Sequence, residues 1–198
     1  FKIQEIIEKI LFREIKYKNK QQLIKKINKS KIIYLTANKK KYSDSFDSQQ
    51  IDKIKYLNLD IILRLDFRIL KGEILNQAKF GIWSYHHGDN SFYRGGPAGF
   101  WEIYYNKPQT GVTLQILNNE LDSGNIIEKG FYNTQWSYVK NYRYISEYSI
   151  ELFKKNIRLL ANNNFNSFKL DATKNLLLKK PNLFQIFVYI YKFYYKLI

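Results

Sequence analysis

The sequence predicts an α/β protein whose mainly parallel sheet is wound by helices. Two observations favour this class. Short β-branched and apolar runs alternate along the chain with segments whose apolar residues recur at helical spacing. A chain of 198 residues is also long enough to bury the core of one such domain, with or without an appendage. Strands joined by helices in this way are typical of parallel sheets.

Each predicted element rests on a local pattern. Apolar residues at helical spacing, a serine before Gln49, and Pro97 in a first turn predict helices. These helices occupy 1–28, 48–56, 94–106 and 138–163. Apolar, β-branched runs predict strands at 31–36, 59–67, 81–87, 111–117 and 125–133.

The N-terminal end of the domain is expected to be incomplete. A parallel connection needs a strand ahead of its crossover, and the sequence begins FKIQEI, without a methionine and without a signal-peptide layout. We therefore assign residues 1–165 to an α/β domain whose first strand is missing, and we expect a cytoplasmic protein.

The remaining residues, 166–198, are predicted to form a linker and a basic, aromatic helix. The linker pattern is NNNFNSFKLDATKN, residues 162–175. The 16 residues from Leu183 to the end are strongly apolar but fall short of the ~20 that a membrane span needs. We expect a helix that packs on the protein or contacts a membrane interface. A truncated membrane anchor, or the start of a further region, is the alternative.

Composition excludes several kinds of site. The chain has no cysteine, which rules out a disulfide framework, a thiolate zinc site and a cysteine nucleophile. Its formal net charge is +16, but the excess lies at the two ends. Residues 1–58 carry 15 basic and 6 acidic groups and residues 136–198 carry 11 and 3, whereas residues 59–135 carry 7 and 8. Lysine supplies most of the excess, while a phosphate-binding face favours arginine forks. This distribution argues against a nucleic-acid partner.

The rarer residues concentrate in residues 81–105, GIWSYHHGDNSFYRGGPAGFWEIYY. Both histidines, His86 and His87, lie there at the end of a predicted strand. Neighbouring side chains of a strand face opposite ways, so the two histidines cannot share a metal site with Asp89, and we predict no metal. Sites in open α/β sheets form beyond the carboxyl ends of the strands. A histidine oriented there by Asp122 could shuttle a proton, although Asp122 alone would equally suit an Asx turn.

Taken together, these motifs resemble one known family. G-x-x-S-x-H at residues 81–86 is followed in turn by RGGPAGFWEIYYN, TGVTLQIL and NELDSGNII. This order and spacing is similar to the catalytic half of the folate-dependent formyltransferases, which act on methionyl-tRNA, glycinamide ribonucleotide or amino sugars. The resemblance covers roughly residues 50–135. It implies the Rossmann-like formyltransferase fold and 10-formyltetrahydrofolate as the donor, with neither a metal nor a covalent intermediate.

The resemblance also implies roles for individual residues. His86 takes the place of the family's catalytic histidine, which stabilises the oxyanion or relays the proton, and Asp122 takes that of its catalytic aspartate. Ser84 stands where the family has asparagine, and losing one oxyanion donor costs on the order of 100- to 1,000-fold in rate. The segment that lines the folate pocket corresponds to Phe67, Arg68, Ile69 and Leu70. The residues at the rim, where an acceptor would bind, are Asp89, Arg94 and Gly95.

Three functional hypotheses follow. The first is an enzyme that transfers a formyl group to a small-molecule primary amine, which we expect to be an amino sugar; activity on methionyl-tRNA is an alternative acceptor choice. The second is a non-catalytic binding domain on the same fold, which the Ser84 departure favours. The third is a nucleic-acid-binding module, which the neutral middle disfavours. The HHGDN and RGGPAGFWE motifs further indicate a distinct branch of the superfamily.

Overall fold

The fold is a mixed α/β arrangement around one main sheet. A computed structural model describes residues 2–11, 32–65, 67–89, 94–119, 124–169 and 177–196. The helices are α1 (Lys2–Leu11), α2 (Ser48–Lys55), α3 (Phe100–Tyr104), α4 (Tyr138–Ala161) and α5 (Leu183–Tyr195), with a 3₁₀ helix at Glu73–Asn76. The strands are β1 (Asn38–Lys39), β2 (Ser43–Ser45), β3 (Ile62–Arg64), β4 (Ile69–Leu70), β5 (Ile82–His86), β6 (Arg94–Gly95), β7 (Gln109–Ile116), β8 (Asn125–Asn133), β9 (Phe168–Lys169) and β10 (Leu177–Leu178).

The described strands form one large sheet and two small ones. The main sheet has the order β3-β5-β7-β8-β9, and the small sheets have the orders β1-β2-β4 and β10-β6. Helix α4 packs against β7 and β8 on one face of the main sheet. The predicted α/β class is therefore confirmed.

The main sheet is less parallel than the sequence predicts. Among its described strands, β3 and β5 pair in parallel, whereas the β5–β7, β7–β8 and β8–β9 pairs are antiparallel. The physical reason is clearest at β7 and β8, which only residues 117–124 separate. A parallel crossover needs a dozen residues or more, so these two strands can pair only as a hairpin.

One predicted strand is wrong. Residues 32–36 of the stretch KIIYLT form no regular structure, and Ile32 and Tyr34 are 55% and 86% exposed. A β-branched run forms a buried strand only when a neighbouring strand and a covering layer are available. The other strand predictions fall on β3, β5, β7 and β8, and 125–133 coincides with β8.

The core lies on both faces of the main sheet. On one face, Trp83 packs with Leu114 and Ile127 beneath α4. On the other face, Ile82 packs with Ile51 of α2 and with residues of the 3₁₀ helix. Strand β5 therefore lies between two apolar layers, which fixes its position in the molecule.

The tail beyond residue 165 is joined to the rest of the fold. Strand β9 pairs with β8, and β10 pairs with β6. Helix α5 begins with a capping box formed by Asn182 and Gln185, and it buries Tyr189 and Phe193 against α3. Its opposite face is exposed, including Phe187 and Tyr191, so contact with a membrane interface stays a prediction. Among the described residues, no helix is long and apolar enough to cross a membrane.

A buried asparagine ties α4 to the strands beside the predicted site. The Asn141 amide donates to Gly99 O at 2.9 Å and to Thr110 Oγ1 at 3.1 Å, and its Oδ1 accepts from Gln135 N at 2.9 Å. Its backbone carbonyl accepts from the Tyr132 hydroxyl at 2.9 Å. One fully buried side chain therefore joins α3, β7 and the start of α4.

Replacing Asn141 with alanine is expected to lower the free energy of unfolding by about 2–4 kcal/mol. The substitution leaves several buried partners without a hydrogen bond, and each such loss costs about 1–3 kcal/mol. Urea denaturation followed by circular dichroism measures the change. Asn164→Ala, in the exposed turn after α4, is the matched control; equal losses in the two variants would contradict this account.

Candidate functional site

The side chains of β5 divide between the two faces of the main sheet. Trp83 meets Phe153 of α4 edge-on at 5.9 Å between ring centroids, and His87, just after the strand, meets Tyr142 of α4 at 6.4 Å. Because successive residues of a strand alternate, Ser84 and His86 lie on the face opposite α4. The two histidines therefore lie on different faces, as the sequence predicts.

His87 belongs to the packing beneath α4. Its ring stacks on Tyr85 with centroids 6.0 Å apart. Burial, and to a lesser degree the neighbouring His86, lowers the pKa of His87 to about 4. His87 is therefore neutral at physiological pH, and it supplies a packed ring rather than a charge.

Ser84 is held by an arginine from the adjacent strand. Arg64 Nη1 donates to Ser84 Oγ at 2.9 Å. The same guanidinium donates from Nε and Nη2 to the carbonyl oxygen of Arg68, at 3.2 and 3.1 Å, and from Nη2 to that of Phe67. A planar, permanently charged group therefore joins β3, β5 and the loop that follows β3.

The loop residues predicted to line a folate pocket have different environments. Leu70 is 6% exposed and belongs to the core, and Ile69 is partly buried. The Arg68 guanidinium pairs with Asp44 and lowers the pKa of that carboxyl, mainly through their hydrogen bond. The Phe67 ring is 45% exposed, at the rim beside Phe46. The Phe67 ring and the loop backbone are the parts of this segment best placed to meet a ligand.

The chain around His86 is fixed by β7. His86 lies opposite Thr113, and the buried Thr113 hydroxyl donates to Gly88 O at 3.1 Å. Gly88 N in turn donates to His86 O at 3.0 Å. These bonds hold the turn at the carboxyl end of β5, where sites form in sheets of this class.

Beyond that turn, Asp89 is brought against β7. A Cβ atom on Gly111 would lie 2.8 Å from Asp89 N and 2.9 Å from Asp89 Cβ, so only glycine allows this approach. Asp89 is 8% exposed and pairs with Lys129 of β8, with Nζ 2.7 Å from Oδ1. This geometry accounts for the glycine of the TGVT motif.

A second carboxylate lies nearby in α3. Glu102 is 3% exposed, although it sits in a helix whose other residues are aromatic or apolar. Burial, with a smaller contribution from the charge of Asp89, raises the pKa of Glu102 to about 7. Asp89 and Glu102 line the same cavity, together with Gly111 and Phe131.

Some predicted site residues cannot be placed as side chains. Asp122 lies outside the described residues. Arg94 and Gly95 form β6, whose backbone pairs in parallel with Leu177 and Leu178, and the Arg94 side chain lies outside what is described. Among the described residues, no group of three or more metal-ligating side chains comes together.

The contact of Arg64 with Ser84, and the places of Glu102 and Lys129 in the candidate site, are not predicted from the sequence. Arg64 and Glu102 each carry a charge inside an apolar run, LDIILRLDF or FWEIYY. Charged residues are almost never fully buried without a reason, so this pattern could have identified both. Lys129 has no comparable signal, because only the pairing of β7 and β8 brings it to Asp89.

No family model matches the chain. Curated relatives do: methionyl-tRNA formyltransferase of Clostridioides difficile (strain 630) is 39% identical over 84 residues, 42% of this chain and 27% of that protein. The corresponding protein of Prochlorococcus marinus (strain AS9601) is 29% identical over 127 residues, 63% of this chain and 39% of that protein. The chain therefore spans about a quarter to two fifths of the length of these relatives.

Solved structures agree with the sequence relatives. The N-formyltransferase of Helicobacter canadensis, in complex with folinic acid and dTDP-3-aminofucose, is 25% identical with a TM-score of 0.51. The match covers 68% of this chain and 55% of that one. The resemblance to the formyltransferase superfamily is confirmed. A 4-N formyltransferase of Francisella tularensis, 18% identical over 89% of this chain and 74% of its own, has a TM-score of 0.57 and supports the same fold.

The raised pKa of Glu102 predicts how stability depends on pH. The folded-state pKa of about 7 lies above the ordinary value of 4.5, so Glu102 favours folding below pH 4.5 and this contribution is lost as the pH rises through 7. Glu102→Gln removes the ionising group. The free energy of unfolding of the variant minus that of the wild type should therefore increase by about 3 kcal/mol between pH 4.5 and 8.

Urea denaturation of both proteins at pH 4.5 and pH 8 measures this difference. Glu147→Gln is the control, because Glu147 is exposed and pairs with Arg143 on the surface of α4. The free energy of unfolding of Glu147→Gln minus that of the wild type should be nearly constant with pH. If this difference in free energy is also constant for Glu102→Gln, the pKa of Glu102 is not raised by burial.

Proposed function

We propose that this chain transfers a formyl group from 10-formyltetrahydrofolate to a primary amine, with an amino sugar as the acceptor. The observation that carries the proposal is the arrangement at the carboxyl end of β5. His86 and Ser84 share one face, and the Arg64 guanidinium links Ser84 to the loop predicted to meet the folate. The similarity to formyltransferases in sequence and fold supports this choice of reaction.

The residues present suit a folate donor. The half-exposed ring of Phe67 offers a flat surface for a pterin, and Arg64 holds the loop backbone at Phe67 and Arg68 in one conformation. Leu70 supports the loop from the core. When bound, the folate supplies the electrophilic formyl carbon. The Helicobacter canadensis relative was solved with folinic acid, which supports a folate here.

His86 is proposed as the group that handles charge and protons during transfer. Attack by an amine on the formyl carbon places negative charge on the formyl oxygen and leaves the nitrogen with a proton to lose. The bond between the formyl carbon and N10 then breaks, and tetrahydrofolate leaves with a proton on N10. An imidazole N–H stabilises that oxygen by donating to it, and its other nitrogen can relay the proton. Asp122 is proposed to orient His86 and to receive the proton, as the resemblance implies.

Ser84 and Arg64 together are proposed to replace the amide that the family carries at this position. A serine hydroxyl is shorter than an asparagine amide and rotates more freely. The bond from Arg64 occupies an acceptor position of the Ser84 hydroxyl, and the hydroxyl itself makes only a long bond, to Tyr85 O at 3.5 Å, which it can exchange for one to the formyl oxygen. The positive charge beside it strengthens a donor aimed at developing negative charge.

The acceptor is proposed to be a small amine bound beyond the β5 turn, near Asp89, Arg94 and Gly95. The relative crystallised with dTDP-3-aminofucose favours an amino sugar. Methionyl-tRNA is the second candidate acceptor, favoured by the curated relatives. A non-catalytic folate-binding domain is the alternative to either enzyme. A cytoplasmic location is part of the same proposal.

Calorimetric titration with 5-formyltetrahydrofolate, a stable mimic of the donor, tests the function. Saturable binding is expected for the wild type and for His86→Gln. With 10-formyltetrahydrofolate and amino-sugar acceptors, His86→Gln and Asp122→Asn should lower product formation by about 100- to 10,000-fold, because proton transfer is lost. His87→Gln is the matched control on the other face of the sheet and should retain activity. No donor binding by folded wild-type protein would overturn the proposal, and binding without turnover would favour the non-catalytic domain.

Arg64→Met is expected to weaken binding of 5-formyltetrahydrofolate by about 10- to 100-fold. The change removes charged hydrogen bonds that hold the Phe67–Arg68 loop, each worth about 1.5–3 kcal/mol. Calorimetry again measures the affinity. Arg143→Met, which removes an arginine paired on the exposed side of α4, is the control and should bind as the wild type does. Equal affinities in the two variants would show that the loop does not depend on Arg64.

A further inference from the structure

A cavity of about 210 Å³ opens beside the β5 turn. It is lined by Asp89, Glu102, Lys107, Pro108, Gln109, Gly111 and Phe131. Pockets for drug-sized ligands typically measure ~300–1,000 Å³, so this one has room for a single ring. We call it the Glu102 cavity.

The observation that most favours a ligand in this cavity is the burial of the Glu102 carboxyl group with few hydrogen-bond partners. Its side chain is almost fully buried and lines the cavity. Within the described part of the chain, no other residue forms an ion pair with its carboxyl group or donates a hydrogen bond to it. Burying a carboxyl with so few partners is costly, so a ligand that donates to it would relieve the cost.

A second hydrogen-bond acceptor, the Asp89 carboxylate, lines the same cavity. Gly111 allows Asp89 to approach β7, and Lys129 fixes the Asp89 carboxylate in place. Phe131, which pairs with Gly111 across β7 and β8, is 44% exposed and lines the cavity. Carboxylates that accept hydrogen bonds and an aromatic ring that covers an apolar face suit a hydroxylated ring.

The cavity lies two residues along β7 from the position opposite the proposed catalytic histidine. Thr113 lies opposite His86, and Gly111 is two residues farther along the same strand, on the same face. Two residues of a strand span about 7 Å. A sugar ring in the Glu102 cavity would therefore lie close enough to His86 for an amino group on the ring to reach the proposed site of transfer.

We propose that the Glu102 cavity binds the sugar ring of the acceptor, with Glu102 and Asp89 accepting hydrogen bonds from its hydroxyl or amino groups and Phe131 covering its apolar face. This subsite rests on the proposed formyl transfer and assigns to Glu102 the selection of a hydroxylated amine over a simple alkyl amine. Sites that hydrogen-bond a substrate hydroxyl reject analogues lacking it, because their own buried polar groups are then left unpaired.

The test uses D-glucosamine and cyclohexylamine as probes, with saturation-transfer NMR to measure binding to the full chain. Wild-type protein should bind glucosamine more tightly than cyclohexylamine. Glu102→Gln should weaken glucosamine binding by about tenfold, in the range expected for loss of a charged hydrogen bond. Glu147→Gln, on the exposed surface of α4, should bind as the wild type does. Because Glu102→Gln is expected to be at least as stable as the wild type at pH 8, unfolding will not mimic the effect.

Donor binding separates this proposal from the proposed function. Glu102→Gln should bind 5-formyltetrahydrofolate as the wild type does, because Glu102 lies outside the Phe67–Leu70 loop. If wild-type protein binds the donor but not glucosamine, or if Glu102→Gln binds glucosamine unchanged, the subsite is wrong while formyl transfer stands. If glucosamine binds through Glu102 and the donor does not bind, the cavity is a sugar site and formyl transfer is wrong.

Discussion

The alternation of side chains along β5 is the constraint on which the rest of the site depends. Because a strand has a period of two, Trp83 and His87 must face α4 whenever Ser84 and His86 face away from it. Trp83 is fully buried against α4, and Ile82 is fully buried on the other side, so a slip of one residue would force each side chain into the packing that fits the other. The apolar residues of β5 therefore set the direction in which the polar ones act.

The neighbouring strands contribute the residues that hold the polar side chains of β5 and of the turn after it. β3 contributes Arg64, which reaches Ser84, and β7 contributes Thr113, which holds the turn after His86. The hairpin of β7 and β8 then brings Gly111 and Lys129 to Asp89. Ser84, the turn after His86 and Asp89 are each held by a residue from a neighbouring strand, which is why the hairpin and its register matter more than any single motif.

The sequence predicts the parts of this site that depend on local pattern. The run GIWSYHH gives β5 and the opposite placement of the two histidines, and NIIEKGFYN gives β8 over its full length. The wrong and missing predictions concern contacts distant in sequence. KIIYLT has the composition of a strand but no partner to pair with in the described structure, and Lys129 is an ordinary surface lysine until the hairpin forms. Glu102 was detectable as a charge in an aromatic helix, but its meaning required the cavity beside it.

Burial shifts the pKa of two ionisable groups, His87 and Glu102, in opposite directions. On the α4 face, it lowers the pKa of His87 to about 4, and at the cavity it raises the pKa of Glu102 to about 7. Both shifts favour the neutral form, since desolvation disfavours charge of either sign. His87 therefore adds no positive charge near pH 7, and the charge next to Ser84 comes from Arg64, which does not titrate in this range. In the formyl transfer proposed above, a permanent cation would be the more dependable partner for an oxygen that becomes negative only during reaction, because its charge is present at every pH at which the amine is neutral enough to attack.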